Sequence, residues 1–172
     1  MKFVVKYFSE IAIKSKPVRR RFIGQLAENL RLTLRDIDPE VAVQRGWDKL
    51  QVETGQEDQR VLARLVDAMC NTPGITYVLE VTECPLPDLD AIVEHVLPVY
   101  AARLADRTFA VRCKRSGAHN FTSVEVERMV GAALLARTGA AGVRLKQPEV
   151  TVDLEISKDT LYVVGRRHRG LD

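Results

Sequence analysis

Hydrophobic and polar positions along this chain follow two periods in turn, and each change of period marks a predicted element. Over Met1 to Tyr7, Phe3 and Val5 fall on one side and Lys2, Val4 and Lys6 on the other, the period of two expected of a strand. After Ser15-Lys16-Pro17 the period lengthens. Phe22, Leu26, Leu30 and Leu34, supported by Ile23 and Ala27, make one stripe at helical spacing, and Pro17 suits a first helical turn. Asp38-Pro39 predicts a turn, then Val41 and Val43, and Leu50 and Val52, read as two short strands joined near Gly46-Trp47-Asp48. Val61, Leu62, Leu65, Val66 and Met69 share one helical face between Glu57 and Cys70, and Asn71-Thr72-Pro73-Gly74 stops that helix. Ile75 to Val81 is rich in strand formers. The order β-α-β-β-α-β predicts a split βαβ, ferredoxin-like arrangement, with an antiparallel sheet and two helices on one face.

Cys84-Pro85-Leu86-Pro87-Asp88 places two prolines in three positions, which resists both helix and central strand. It is therefore read as a linker dividing a first domain, residues 1–83, from a second, residues 84–172. The second opens on an amphipathic helix carrying Leu89, Ile92, Val93, Val96, Leu97, Tyr100 and Leu104, with Pro98 expected to kink or split it. A strand, a turn and a helix follow in TFAVRCKRSGAHNFTSVEVERMVGAALL. Phe109, Val111 and Cys113 alternate with Ala110, Arg112 and Lys114, and Ser116-Gly117 breaks the alternation. Thr122 with Glu125 three residues later fits a capping box, and Val126, Met129, Val130, Ala133 and Leu134 then share a face. Val143 to Lys146 reads as a short strand or extended connection. Val150 to Ile156 alternates without a break, Lys158-Asp159 turns the chain, and Thr160 to Arg166 is the partner strand leading into Arg166-Arg167-His168-Arg169. The fold class expected is α+β throughout.

Composition narrows the class little: 46% hydrophobic and 28% charged residues describe an ordinary folded chain of 172 residues. No apolar run approaches the length of a membrane span, so no membrane partner is expected and the cytoplasm is the expected location. Charge adds more. Residues 1 to 35 carry nine Lys or Arg against two acids, residues 36 to 106 five against fourteen, and residues 107 to 172 twelve against seven. Two basic ends around an acidic middle are the footprint of a polyanion-binding face, although charges that merely solvate helices give the same composition.

Catalytic arrangements are missing. The chain has no Walker loop, no GxGxxG, no HExxH and no SGGxDS pyrophosphate loop. His95, His119 and His168 lack ligand spacing, and Cys70, Cys84 and Cys113 are odd in number without a CxxC pair, which argues against a metal site and against a disulfide framework. No metal and no cofactor are expected. His119 near Ser123 lacks an orienting acid and an oxyanion site, so it reads as a hydrogen-bond donor to phosphate rather than a base. Asp153 and Glu155 read as solvated charge. What remains is cationic. Arg112, Lys114 and Arg115 lead to a turn over a helix N-terminus, where free turn amides and the helix dipole also favour a phosphate. With neighbouring strands about 4.8 Å apart, these residues, Arg144 with Lys146, and Arg166 with Arg167 and Arg169 are expected to form one patch. Arg19, Arg20 and Arg21 crowd the first turn of the first helix, each unfavourable by about 0.3–1 kcal/mol against the helix dipole, which also invites an anion. Aromatic residues are few near these positions, so recognition of folded RNA by shape and backbone is favoured over base stacking.

The run FAVRCKRSGAHNFTSVEVERMVG, with VRLKQPEVTVDLEI and LYVVGRR, resembles a THUMP domain, an RNA-binding module of tRNA-modifying enzymes. MKFVVKYFSEIAIKSKPVRRRFIGQLAENLR and VQRGWDKLQV resemble the ferredoxin-like domain at the start of the tRNA 4-thiouridine synthetases, also called tRNA sulfurtransferases. The resemblance spans essentially the whole chain. It implies a ferredoxin-like domain followed by an α/β THUMP domain, together gripping a tRNA acceptor arm, with the THUMP domain taking the 3′ CCA end. The positions it assigns to RNA are Arg112, Lys114, Arg115, His119, Arg144, Lys146, Arg166 and Arg167, with Lys14, Lys16, Arg19, Arg20 and Arg21 in the first domain. The family continues into an ATP pyrophosphatase-type domain, and in many members a rhodanese-like one, where this sequence closes at Gly170-Leu171-Asp172. The expectation is an RNA-binding part without thiolation activity of its own, either a truncated or split synthetase or a free-standing adaptor. A separate catalytic chain and a homodimer are left open as partners. A rival reading, a small-molecule-responsive regulatory protein dimerising through its ferredoxin-like domain, explains the first eighty or so residues and gives the cationic strand ends no role.

Overall fold

The computed structural model describes residues 1–7, 15–46 and 49–171. The chain forms two compact units, one of Met1–Val81 with Arg166–Asp172, the other of Thr82–Gly165.

In the first unit the expected order holds: β1 (Lys2–Tyr7), α1 (Lys16–Arg35), β2 (Ala42–Arg45), β3 (Leu50–Glu53), α2 (Gln59–Cys70) and β4 (Ile75–Pro85). The strands lie in the order β2-β3-β1-β4 with antiparallel neighbours, the arrangement that split βαβ connectivity demands. Phe3, Val5, Val43, Leu50, Val52, Ile75 and Val78 from the sheet form one core with Ile23, Leu26, Ala27, Leu30 and Leu34 of α1 and Leu62, Leu65 and Met69 of α2. The α1 stripe is narrower than its sequence suggests, because Phe22 is 38% exposed and Ile23 and Ala27 do the packing instead. One buried carboxylate ties the unit together. Asp38, 2% exposed, accepts from the Thr54 hydroxyl and from Glu40 N at 3.1 Å, which joins the end of α1 to the end of β3.

The second unit contains α3 (Ile92–Tyr100), β5 (Thr108–Ser116), α4 (Ser123–Arg137), β6 (Gly142–Val143), β7 (Val150–Ser157) and most of β8 (Thr160–Arg169). β5 lies parallel to both β6 and β7, and β7 pairs antiparallel with β8. Period-two burial on β7 is complete: Val150, Val152, Leu154 and Ile156 are buried and the residues between them exposed. They meet Phe109, Val111 and Cys113 of β5, Val126, Val130 and Leu134 of α4, and Ile92, Val93, Val96 and Tyr100 of α3 in a single core. Met129, expected on the core face of α4, is 41% exposed, and the small Gly131 is buried there instead.

Three expectations change. Pro98 does not split its helix; α3 runs past it to Tyr100 and tightens into a 3₁₀ turn over Ala101–Leu104. The proposed linker begins inside a strand, since β4 continues through Cys84 and Pro85 and Leu86 N donates to Asp159 O at 2.7 Å. Proline is tolerated there because it ends the strand, where no further ladder bond is required of its missing N–H. Finally, the Arg166–Arg169 cluster lies within β8 rather than after it, and residues 166–172 group with the first unit. Gly170 N donates to Thr76 O at 2.8 Å, and a Cβ at Gly170 would run into the Ile75 carbonyl oxygen, so only glycine allows this approach to β4.

Candidate nucleic-acid interface

On β5 the alternation turns Phe109, Val111 and Cys113 inward and leaves Arg112 and Lys114 exposed. The parallel register sets each exposed cation opposite a carboxylate of β7, Arg112 with Asp153 and Lys114 with Glu155. The two acids are thus neighbours of the cations as well as solvated charge, and they temper the positive potential of this sheet face. Arg112 Nη2 donates to Leu145 O at 2.6 Å, which pins the connection carrying Arg144 and Lys146 to the sheet. Arg144 N donates to Phe109 O at 2.8 Å, and both cationic side chains are exposed. This group sits at the beginning of β5. Arg115 and His119 stand at its other end, so the single patch expected from strand ends is instead two groups in this unit, with Arg112 and Lys114 between them.

At that far end, Arg115 Nη1 lies 2.7 Å from His119 Nδ1 and donates to Gly117 O at 3.1 Å. His119 Nε2 lies 2.7 Å from Lys158 O, and the ring stacks on Phe121 with centroids 5.1 Å apart. Both ring nitrogens are therefore engaged within the protein, which removes the free donor to phosphate that the sequence suggested. The helix beyond is also less open than expected. Thr122 Oγ1 accepts from Glu125 N at 3.1 Å, and Glu125 Oε1 accepts from Thr122 N at 3.2 Å, the complete capping box. A carboxylate thus occupies the place where free amides would have received an anion. Thr122→Ala is expected to cost about 1 kcal/mol of stability, read as a shift of the urea midpoint, and an unchanged midpoint would count against the box as a stabilising element.

In the first unit the start of α1 differs from that of α4 among the described residues. Ser15 makes no side-chain capping bond and the first turn holds no acid, while Lys16, Arg20 and Arg21 are exposed. Lys14 lies outside the described residues. Sequence reasoning missed Arg45, whose Nη2 donates to Arg20 O at 3.1 Å and whose guanidinium lies beside Gly24. A Cβ at position 24 would meet it at ordinary contact distance, and nothing local in the sequence links the two positions. Arg166 and Arg167, expected beside the β5 cations, belong to this unit, where Arg167 lies 4.0 Å over the Tyr77 ring and His168 Nε2 is 3.3 Å from Glu80 Oε1.

Nucleophilic chemistry finds no footing among the cysteines. Burial, with the Glu127 carboxylate adding to it, pushes the Cys113 thiol up to about 11, and burial raises Cys70 and Cys84 as well. No group of three or more His, Cys, Asp or Glu suited to a metal occurs among the described residues, and no helix there is long and apolar enough to cross a membrane.

Known proteins match this architecture closely. A family model of the ThiI ferredoxin-like domain matches residues 2–78, and one of the THUMP domain matches residues 87–164. The chain is 55% identical over 168 residues to a tRNA sulfurtransferase of Azotobacter vinelandii, covering 98% of this chain and 35% of that protein. It is 53% identical over 171 residues to a tRNA sulfurtransferase of Pseudomonas aeruginosa strain UCBPP-PA14, covering 99% of this chain and 35% of that protein. The chain thus spans about a third of the length of these relatives. Among solved structures, a 4-thiouridine synthetase–RNA complex with bound ATP has the same fold over 98% of this chain and 42% of its own, with a TM-score of 0.76 at 19% identity. The chain thus carries a ThiI ferredoxin-like domain followed by a THUMP domain, and over nearly its whole length it is similar to about a third of the tRNA sulfurtransferases.

Proposed function

We propose that this chain is a tRNA-binding part that grips the acceptor arm, its THUMP domain taking the 3′ CCA end, and so positions a uridine for 4-thiouridine formation by catalytic parts outside residues 1–172. The observation that carries the reading is that each unit exposes its own group of cations. In the first these are Lys16, Arg20 and Arg21 at a helix start where Ser15 makes no side-chain capping bond, with Arg45 bonded to Arg20 O, and in the second Lys114, Arg144 and Lys146. A helix start whose first turn holds no acid, with exposed cations along it, suits a phosphate, and a backbone lined with phosphates suits several such groups. The tRNA sulfurtransferases among the relatives and the RNA in the neighbouring complex support the same partner. Residues 1–83 and 84–172 act as the two domains of this grip. In this reading Arg19, Arg112, Arg115, Arg166 and Arg167 contact RNA in addition to the cations above, and Lys14, outside the described residues, is assigned to RNA by the resemblance alone. The chain carries out no thiolation by itself, and an ATP pyrophosphatase-type domain supplies that step in the cytoplasm.

The test is the affinity for a tRNA transcript, with and without its 3′ CCA, at several salt concentrations. Affinity is expected to drop when CCA is removed and log K to fall steeply against log salt. Replacing Lys114 and Arg115 with Ala should weaken binding and flatten the salt slope by about two, given a slope near 0.9 per phosphate contact in duplexes. Binding that ignores CCA would overturn the acceptor-end reading, and no binding at all would overturn RNA as the partner.

A further inference from the structure

We infer that His119 is a positioning residue that holds the Arg115 guanidinium toward an RNA phosphate without touching RNA itself. This rests on the RNA-binding reading above. The proton on the ring is located by its neighbours. A backbone carbonyl only accepts, so Nε2, 2.7 Å from Lys158 O, carries the hydrogen. Nδ1 is then left with a lone pair and accepts from Arg115 Nη1 at 2.7 Å. The ring is neutral in this arrangement and leaves the full charge of Arg115 available to a ligand. Its flat side is taken by Phe121, at 29° to it.

The guanidinium is constrained from several sides. Nη1 is shared by Gly117 O and His119, and Nε is buried without a hydrogen-bond partner among the described residues. Nη2 remains as the donor for an outside acceptor. The frame around it is stiff. Gly117 has φ +103°, and a Cβ there would lie 3.2 Å from both N and Cα of Lys158, which itself has φ +54°. Lys158 N donates to Ser116 O at 3.0 Å, so the turn after β5 and the hairpin between β7 and β8 are locked together, and His119 bridges the two. An arginine ordered before its ligand arrives loses less rotamer freedom on binding, and that difference becomes affinity.

Four variants of the whole chain test this with a tRNA transcript at one salt concentration. His119→Ala is expected to weaken binding roughly three- to tenfold, the affinity equivalent of ordering one long side chain. His119→Asn, whose amide oxygen stands near the place of Nδ1, should recover most of the loss. His119→Ala added to Arg115→Ala should cost nothing beyond Arg115→Ala alone. An equal loss in both backgrounds would mean that His119 acts on RNA directly and would overturn the proposal, as would unchanged affinity in His119→Ala. Nitrogen NMR of the free protein separates this from the RNA reading. Hindered rotation of the Arg115 guanidinium is expected in the native chain and in His119→Asn and free rotation in His119→Ala, whether or not tRNA binds. Free rotation in the native chain would overturn the positioning role, while hindered rotation without tRNA binding would overturn the RNA reading and, with it, the phosphate as the object of the positioning.

Discussion

Replacing Tyr100 with Ala is expected to destabilise the second unit by about 4 kcal/mol, the usual cost of emptying a fully buried aromatic site. The ring is 1% exposed and packs in the core that α3 and α4 share with the sheet. Its hydroxyl donates to the Val164 carbonyl and accepts from Asp153 N at 3.3 Å, two residues that face one another across β7 and β8. The Arg103 guanidinium lies 4.6 Å over the ring. Truncation therefore opens a cavity and takes away the bridge between two strands at once. Tyr100→Phe separates these contributions. It keeps the packing, removes the hydroxyl, and should cost about 1 kcal/mol. Urea unfolding of both variants checks the pair, and equal losses in the two would mean that the hydroxyl, not the ring, carries the stability.

The second large effect lies at Asp38. Asp38→Asn is expected to cost about 1.5–3 kcal/mol near neutral pH, the range for a charge-assisted hydrogen bond. The amide keeps an acceptor for Glu40 N but turns a donor toward the Thr54 hydroxyl, which already accepts from Gln56 N at 3.1 Å. The Thr54 hydroxyl bond, helped by the Glu40 amide and by Gln56, holds this carboxyl below its ordinary value against the upward push of burial. A carboxyl with a lowered folded pKa binds fewer protons than in the unfolded chain. Its contribution is therefore complete above about pH 4, the unfolded value, and is lost as pH falls through the lower folded value. The gap between the native chain and Asp38→Asn should accordingly narrow in acid. Denaturant midpoints of both at neutral pH and near pH 2 decide it, and a gap independent of pH would show that the charge of Asp38 contributes nothing.

These two residues also mark what the sequence reveals and what it hides. Strands and helices with clean periods were legible: β7 alternates in burial as it does in sequence, and Thr122 with Glu125 forms the capping box their spacing predicts. Both signals are local. Phe22 and Met129 were misplaced because a stripe read at helical spacing does not say how wide the facing sheet is, and each stays about two-fifths exposed. Pro85 suggested a linker because its missing N–H weakens a strand, but a strand's last residue has no use for that donor. The cationic residues were legible by type and not by grouping. Arg112 reaches Leu145, thirty-three positions away, and Arg45 reaches Arg20 across twenty-five. His119 shows the limit most clearly. Its role depends on the Lys158 carbonyl thirty-nine residues later, and although Lys158-Asp159 reads as a turn, nothing local points that carbonyl at His119.

The last residues of β8 have a consequence for how the protein is made. The second unit is one unbroken stretch, Thr82–Gly165, whereas the first joins Met1–Val81 with residues 166–172, Gly170 being bonded to Thr76. During synthesis the ribosome releases every residue of the second unit before the closing segment of the first, so the unit that begins first is the one completed last. Until then one edge of β4, opposite its β1 partner, stands open, and a stalled or shortened nascent chain presents that edge to its neighbours.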